Sequence, residues 1–412
     1  MGVLERNIRA LPRREVVLVA ESFGRVLYED VASKADFPPA DSSQRDGYAV
    51  RSLDLAAASE TNPASLKVVR GAPLGAAPTA RVKSDEAHTV LTGGYIPAGA
   101  DAVVQSENVR RGAEEGTIIV TERVRKGQYV FPKGRDVKRG EVVLERGRVL
   151  RATDQVLLES LHMDRVGVCR KPRVAIIPTG NELSSRIRGT EPGKVVETHG
   201  LLLSRLVEGA GGVPNLMPIV RDDLALLVHS MRRALKVADL VLNSAGSSVG
   251  EADLTEKVIA QSGKPGMLVH GMKVLQGRVM GFGAVDGKAI VIIPGRIAGA
   301  VNAFAVLGYP VIRSFLGRGF EGPPSLPATV GSDWEAESHY SDFLKLVYAR
   351  LRAEGTDLIA EPSWSTSEKI THFTRNDGYI LVPEDKLSLK KGERVLVHVL
   401  PGISGYGSWG SL

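Results

Sequence analysis

Residues 171–317 repeat a strand, a loop and a helix several times, and this order predicts a parallel-rich sheet with helices on its faces. The apolar run RVAIIP (173–178) is typical of a buried central strand. DLVLNSAG (239–246) and KAIVIIPG (288–295) predict two more strands. Ligands of open α/β sheets bind outside the carboxyl ends of the strands, so the loops after these strands are expected to line one binding crevice.

The segments between these strands carry helical signals. HGLLLSRLVEGAGG (199–212) predicts a helix that glycines end, because glycine accepts the left-handed backbone of a helix terminus. In the next segment, apolar residues recur at intervals of four, three and four positions, which places them on one stripe of a helix: Leu224, Val228, Met231 and Leu235. Either Asp222 or Asp223 is expected to cap that helix.

The N-terminal part of the chain changes character twice. Residues 46–140 place short β-rich runs between turns rich in glycine, proline and asparagine, which predicts an inserted β domain. The flanking segments 1–45 and 141–170 are expected to form one segmented α+β domain. REVVLVAESFGRVLYEDVAS (14–33), whose periodicity is mixed, predicts a helix and a turn, and ATDQVLLESLHM (152–163) predicts a second helix.

Residues 318–412 are mainly predicted strands after a proline-rich hinge, and the alternation in RVLVHVL favours a small β-barrel or sandwich. The predicted fold class is therefore multidomain, α/β plus β.

The charge balance restricts the partners. The 412 residues carry 53 Lys and Arg against 47 Asp and Glu, a formal charge of +6, which favours a small anionic substrate. Basic residues are dispersed and only 5% of the chain is aromatic, so nucleic-acid binding is not expected.

The single Cys169 excludes an internal disulfide and a thiolate-rich metal centre. With no apolar run approaching the ~18 residues of a membrane span and no secretory signal, we expect a cytoplasmic protein without membrane contact.

Four loops combine glycine with carboxylate side chains: FPPADSSQRDGYAV (37–50), TGGYIPAGADAVVQSE (92–107), PTGNEL (178–183) and SAGSSVGEAD (244–253). Clustered carboxylates suit Mg²⁺, which keeps several waters and commonly bridges to substrate phosphates. Backbone N–H groups and serine hydroxyls in such loops can cradle phosphate oxygens. The combination predicts phosphoryl or nucleotidyl chemistry without identifying the substrate.

At these loops the chain resembles the MoeA family of molybdopterin molybdenumtransferases, which includes the E domain of gephyrin. The family pattern DNSAMDGYA appears here as DSSQRDGYA (41–49), and GRDVKRGEVVL (134–144) matches a further signature in the expected order. The resemblance implies a MogA-like α/β domain at 171–317, a β domain at 46–140 inserted in the segmented N-terminal domain, and a C-terminal β-barrel.

Family members form homodimers whose active crevice lies between the α/β domain of one chain and the inserted β domain of the other. They hydrolyse adenylylated molybdopterin with a divalent metal and place molybdenum from molybdate on the dithiolene; tungstate is an alternative here. The resemblance also suggests a MogA-like adenylyltransferase as a partner. The catalytic positions that it implies are Asp46, Thr92, Asp136, Glu182, Asp222 and Asp253.

Within this set, Glu182, Asp222 and Asp253 are expected to hold Mg²⁺, while the other three reach across from the partner subunit. The residues expected to bind the pterin nucleotide are Thr179, Gly180, Ser244, Gly246, Ser248, Gly250, Arg278 and Arg296.

Two loops depart from the family pattern. The family's PGKP is QGRV here (276–279), and its PGNPVS is PGRIAG (294–299), so that Arg296 replaces Asn and Gly299 replaces Ser. Those loops are associated in the family with the oxyanion and the terminal phosphate, and the changes suggest altered metal-oxyanion handling. The alternative hypothesis is a non-catalytic paralogue that acts as a pterin-binding carrier or scaffold.

Overall fold

The computed structural model describes residues 2–185, 192–245, 249–363 and 369–399, without the side chains of 245 and 249–253. The chain separates into two compact units. Unit 1 comprises Met1–Tyr28, Gly147–Arg151 and Arg165–Leu412, and unit 2 comprises Glu29–Arg146 and Ala152–Asp164. This division does not test the four domains expected from the sequence, whose boundaries stay predictions.

The strands are named in chain order. They are β1 (Arg14–Leu18), β2 (Val31–Ala32), β3 (Ser42–Ser43), β4 (Gly47–Val50), β5 (Ala64–Val69), β6 (Glu86–Val90), β7 (Ala102–Gln105), β8 (Val109–Arg111), β9 (Thr117–Val120), β10 (Val130–Phe131), β11 (Val142–Leu144), β12 (Arg165–Cys169), β13 (Arg173–Pro178), β14 (Leu183–Ser184), β15 (Val195–Val196), β16 (Val213–Leu216), β17 (Leu240–Ala245), β18 (Pro265–His270), β19 (Gly281–Val285), β20 (Lys288–Pro294), β21 (Ser325–Val330), β22 (Trp334–Glu335), β23 (Lys345–Glu354), β24 (Asp357–Pro362), β25 (Gly378–Val382), β26 (Ser388–Leu389) and β27 (Arg394–His398).

The helices are α1 (Gly2–Asn7), α2 (Ala152–Ser160), α3 (His199–Gly209), α4 (Leu224–Val237), α5 (Val249–Ser262), α6 (Ile297–Ala303), α7 (Tyr309–Phe315) and α8 (Ile370–Arg375). A π-helical segment, Phe304–Gly308, joins α6 to α7. The continuous stretch Ile297–Phe315 is long and apolar enough to cross a membrane, but 83% of that window is buried inside the protein, as in a core helix.

Unit 1 contains the predicted α/β sheet, in the order β16-β13-β17-β20-β19-β18. The first four strands are parallel, and β19 and β18 are antiparallel additions at one edge. In β13, Val174 and Ile176 pack in the core that includes α3, α6 and α7, while Ala175 and Ile177 pack in the core that includes α4. Burial on both faces explains why this strand is a continuous apolar run.

The predicted helix at 14–33 is wrong. The segment begins with β1, continues into a 3₁₀ turn at Val19–Glu21 and then has no helix. β1 pairs in antiparallel register with β12, about 150 residues away, from Arg14 opposite Cys169 to Leu18 opposite Arg165. Hydrogen bonds to this distant strand satisfy backbone N–H and C=O groups of β1, in a segment whose local periodicity is mixed. In contrast, the predicted helix at 152–163 is confirmed by α2.

Unit 2 is built around a six-stranded sheet in the order β7-β4-β6-β5-β9-β8. Its core includes Val50, Leu66, Ala87 and Val104, all of which are buried. The short β-rich runs predicted between residues 46 and 140 thus form strands, and turns separate them.

The C-terminal part of unit 1 is a closed barrel of β21-β24-β23-β25-β27. Of the two folds that the sequence allowed for this region, the barrel is therefore correct and the sandwich is not. Lys345 is fully buried at the start of β23, and its ammonium donates to the carbonyls of Pro383, Glu384 and Lys386 at 3.0, 3.1 and 2.8 Å. Burial lowers the pKa of Lys345. The three carbonyls compensate the desolvation of this cation and fix the turn after β25.

Candidate functional site

The carboxyl ends of β13, β17 and β20 lie side by side in unit 1. Pro178 is opposite Ser244, and Ala245 is opposite Pro294. Because neighbouring parallel strands end at the same edge, the loops that follow them start next to one another. These are the loops in which the sequence places the predicted carboxylates, serines and Arg296.

Thr179 ties two of these loops together. Its hydroxyl donates to the carbonyl of Ser244 at 2.7 Å, and its backbone N–H points to the same oxygen at 3.1 Å. The backbone N–H of Gly180 donates to the carbonyl of Val220 at 3.1 Å. Thr179 is buried, so in this structure its hydroxyl serves to position the loops.

Asn181 and Asp222 form a reciprocal pair, which we call the Asn181–Asp222 latch. The backbone N–H of Asn181 donates to Oδ2 of Asp222 at 3.0 Å, and the backbone N–H of Asp222 donates to Oδ1 of Asn181 at 3.3 Å. Asp223, not Asp222, caps α4 by accepting the N–H of Leu226 at 2.9 Å. The two adjacent aspartates therefore have separate tasks, and Asp222 holds the loop after β13.

Glu182 folds back over Gly180. A Cβ atom at Gly180 would lie 2.6 Å from both carboxylate oxygens of Glu182, and the backbone of Gly180 has φ +149°. Any side chain at position 180 would displace the carboxylate. Glycine at this position thus lets the carboxylates of Glu182 and Asp222 flank the same short turn.

Four predicted positions after β17 lie wholly or partly outside the described residues. Gly246 and Ser248 lie outside the described residues, and the side chain of Asp253 in α5 is outside them as well. Gly250 lies in the first turn of α5, where only the backbone course is described. Among the side chains that are described, no group of three or more His, Cys, Asp or Glu could hold a metal ion.

The two loops with unusual residues contact each other. A Cβ atom at the buried Gly299 would lie 2.7 Å from Cβ of Pro294 and 2.9 Å from the carbonyl oxygen of Gln276. Gln276 has a left-handed backbone, with φ +59°. Gly299 therefore permits close packing of the Gln276–Val279 turn on α6, and a serine there requires a shift of the backbone.

Both predicted arginines of these loops are exposed. Arg296 is the residue before α6, and Arg278 carries its guanidinium 4.6 Å from the ring centroid of Phe343.

In unit 2, Asp46 and Thr92 are joined directly. Oδ1 of Asp46 accepts the backbone N–H of Thr92 at 2.6 Å and its hydroxyl at 2.8 Å. The backbone N–H of Thr92, followed by the hydroxyl, lowers the pKa of Asp46. This exposed carboxylate is held in its ionised form at neutral pH, and Oδ1 receives both bonds.

Asp136 belongs to a turn that Asp41 fixes. Oδ1 of Asp41 accepts the backbone N–H of Lys133 at 2.8 Å, and its carbonyl accepts the N–H of Ile96 at 2.8 Å. The side chain of Asp136 is exposed, and its backbone N–H donates to the carbonyl of Phe37 at 3.2 Å. Asp41 thus connects the loops that carry Asp46, Thr92 and Asp136 within unit 2.

Asn181 and Asp41 are positioning residues that the sequence motifs contain but did not identify. Each is a side chain of the Asx type beside a turn, a signal for hydrogen bonds to the backbone. The buried contact between Asn302 and Tyr348 had no such signal, because the two residues lie 46 positions apart.

Comparisons with known proteins cover nearly the whole chain. Three family models match: the MoeA N-terminal region (domains I and II) at residues 3–161, a probable molybdopterin binding domain at 175–314, and the MoeA C-terminal region (domain IV) at 327–400. A molybdopterin molybdenumtransferase from Nostoc sp. is 29% identical over 399 residues, covering 94% of this chain and 89% of that protein.

A putative molybdopterin biosynthesis protein from Methanocaldococcus jannaschii is also 29% identical, over 93% of this chain and 91% of its own length. The crystal structure of a molybdopterin biosynthesis MoeA protein from Pyrococcus horikoshii is similar, with a TM-score of 0.85 and 31% identity over 97% of this chain and 98% of that one. The match in sequence and fold extends from the N-terminal region to the barrel. The chain belongs to the MoeA family.

Proposed function

We propose that this protein is a molybdopterin molybdenumtransferase of molybdenum cofactor biosynthesis, which hydrolyses adenylylated molybdopterin and couples that step to insertion of the metal into the dithiolene. The observation that carries the proposal is the turn after β13, where the carboxylate of Glu182 folds over Gly180 and that of Asp222 accepts the N–H of Asn181, at the carboxyl edge of the sheet. The names of the similar proteins favour this catalytic function over the carrier or scaffold.

The donor set of this turn is compatible with Mg²⁺. Hard carboxylate oxygens suit this cation, which is commonly held by one or two carboxylates and keeps several waters. Glu182 and Asp222 would hold it, together with Asp253, whose side chain is outside the described part. Bound there, the ion would neutralise charge on a substrate phosphate.

The residues of the chain orient the reacting groups. The Asn181–Asp222 latch and the bond from Thr179 to Ser244 fix the loops that face the nucleotide. We assign Gly180, Gly246, Ser248 and Gly250 to backbone and hydroxyl contacts with the pyrophosphate. Arg278 and Arg296 would receive anionic groups, since guanidinium binds phosphate and oxyanions through paired N–H donors.

The protein would act as a homodimer in the cytoplasm, and a MogA-like adenylyltransferase would supply its substrate. In this arrangement Asp46, Thr92 and Asp136 complete the site of the partner subunit. The lowered pKa of Asp46 supports a role for its carboxylate as an anion at neutral pH.

The test is AMP release by the purified full-length protein with adenylylated molybdopterin, Mg²⁺ and molybdate, and in parallel with tungstate. We expect release and metal insertion with wild type, and a loss of at least about 100-fold with Glu182→Gln, because removal of a charged group that stabilises a transition state has effects of that size. Glu208→Gln is the matched control, since Glu208 lies in the last turn of α3 and pairs with Arg205. Wild-type release no higher than that of Glu182→Gln contradicts the proposal.

A further inference from the structure

The loop between β18 and β19, residues 271–280, is held by the C-terminal barrel of unit 1. The backbone N–H of Leu275 donates to the carbonyl of Leu344 at 2.9 Å, and the N–H of Leu344 donates to the carbonyl of Lys273 at 2.9 Å. This pairing lies just before β23. The barrel thus fixes the backbone of the loop that carries Gln276 and Arg278.

The side chains of Asp342 and Phe343, which lie just before β23, contact the loop. Lys273 Nζ lies 2.7 Å from Oδ2 of Asp342, and this hydrogen bond lowers the pKa of Asp342. Next to it, the guanidinium of Arg278 lies 4.6 Å from the ring centroid of the half-buried Phe343. The geometry is that of a cation–π contact.

A buried polar chain supports the loop from inside. The hydroxyl of Tyr348 donates to Oδ1 of Asn302 at 2.7 Å, and Nδ2 of Asn302 donates to the carbonyl of Leu275 at 3.0 Å. Burial raises the pKa of Tyr348 well above its ordinary value, so the hydroxyl keeps its proton. A neutral, hydrogen-bonded chain of this kind favours one arrangement of the loop.

An exposed arginine ordinarily samples many rotamers, and binding an anion requires that this freedom be lost. The ring of Phe343 restricts the guanidinium of Arg278 before any ligand arrives. A preoriented donor loses less entropy when it binds, so its contribution to affinity is larger.

We propose that Phe343 is a positioning residue for Arg278, and that the C-terminal barrel is therefore part of the substrate-binding apparatus. That Arg278 receives the anionic part of the substrate rests on the proposed function. The attachment of the loop to the barrel does not, and it is tested separately.

The first test is amide hydrogen exchange, measured by mass spectrometry on the ligand-free full-length protein. Phe343→Leu is expected to raise exchange in residues 271–280 at least about twofold, because the loop loses the contact between the ring and Arg278. Phe343→Tyr keeps the ring and is expected to restore wild-type exchange. Equal exchange in wild type and Phe343→Leu overturns the proposal.

The second test is a kinetic cycle with adenylylated molybdopterin. Phe343→Leu is expected to raise KM about threefold with kcat almost unchanged, in line with an exposed cation–π contact, and Phe343→Tyr is expected to restore KM. In an Arg278→Met background the same Phe343→Leu change is expected to have no further effect. An equal rise of KM in both backgrounds shows that Phe343 does not act through Arg278.

The two tests separate the two proposals. Wild-type protein that fails to release AMP refutes the proposed function, while the exchange comparison still decides whether Phe343 holds the loop. Normal release with no change of exchange or KM in Phe343→Leu refutes the positioning role alone.

Discussion

Asp46 in unit 2 and Asp222 in unit 1 both accept a backbone N–H from a residue more than 40 positions away, but they do so differently. Asp46 receives the N–H and hydroxyl of Thr92 on one oxygen, and its own N–H takes no part in that contact. Asp222 exchanges two hydrogen bonds with Asn181. The first arrangement stabilises a charge, whereas the second fixes a loop as well as holding a charged side chain in place. An informative substitution at either site must therefore change the charge while keeping the hydrogen bonds, or change the hydrogen bonds while keeping the charge.

The largest effect is expected at Asp222. Asp222→Asn keeps an oxygen that can accept the N–H of Asn181 but removes the charge, so we expect kcat to fall about 100- to 1,000-fold with little change of Tm. Asp222→Ala removes both and is expected to lower Tm as well. AMP release and thermal unfolding of both variants provide the measurement, and equal Tm values would show that the latch contributes little to stability.

A smaller effect is expected at Thr92. Thr92→Val keeps the backbone donor and loses the hydroxyl bond to Asp46, and hydrogen bonds to charged groups are worth about 1.5–3 kcal/mol. We expect AMP release to fall about tenfold. Thr92→Ser keeps both donors and is the control. If the valine variant releases AMP as fast as the serine variant, the hydroxyl does not support the charge.

Gly299 extends the comparison to a position without a polar side chain, which is packed against Pro294 and the carbonyl of Gln276. Gly299→Ser restores the family's residue, but its Cβ meets the carbonyl of Gln276 and the ring of Pro294. Overpacking of this kind costs about 1–3 kcal/mol, so we expect a lower Tm and no gain of metal insertion. Gly299→Ala separates the added Cβ from the hydroxyl. Faster metal insertion by the serine variant would show instead that the glycine limits the chemistry.

The smallest effect concerns pH and unit 1. Burial lowers the pKa of His199, His372 and His398 below their ordinary 6.5. The unfolded chain therefore binds more protons as the pH falls through 6.5, so the stability that these neutral histidines contribute is present above that pH and is lost below it.

Urea unfolding at pH 7.5 and 5.0 measures this loss, and His398→Gln is expected to reduce the difference between the two pH values. An unchanged difference in that variant excludes His398 as a source.

Local patterns predicted three of the six strands of the α/β sheet, the neighbours β13, β17 and β20. β13 reads as a buried strand because both of its faces pack against helices, and the stripe from Leu224 to Leu235 was enough to place α4. Local patterns failed at β1, because its partner strand β12 lies far along the chain. Strands such as β19, with the sequence GFGAV, also escaped prediction, because glycine carries little strand propensity and only the neighbours β18 and β20 define them.

The sequence alone determined the chemistry that is available, since motifs specify residue types: the acids of the DSSQRDGYA, PTGNEL and SAGSSVGEAD loops, and the glycines that allow tight turns beside them. Only the tertiary structure decided which of these residues support the backbone and which present free oxygens. It assigned capping to Asp223, the latch to Asp222 and support of the 271–280 loop to the barrel. The reason is physical, because a hydrogen bond depends on distances of about 3 Å between groups, and only the folded chain brings together residues that lie tens of positions apart.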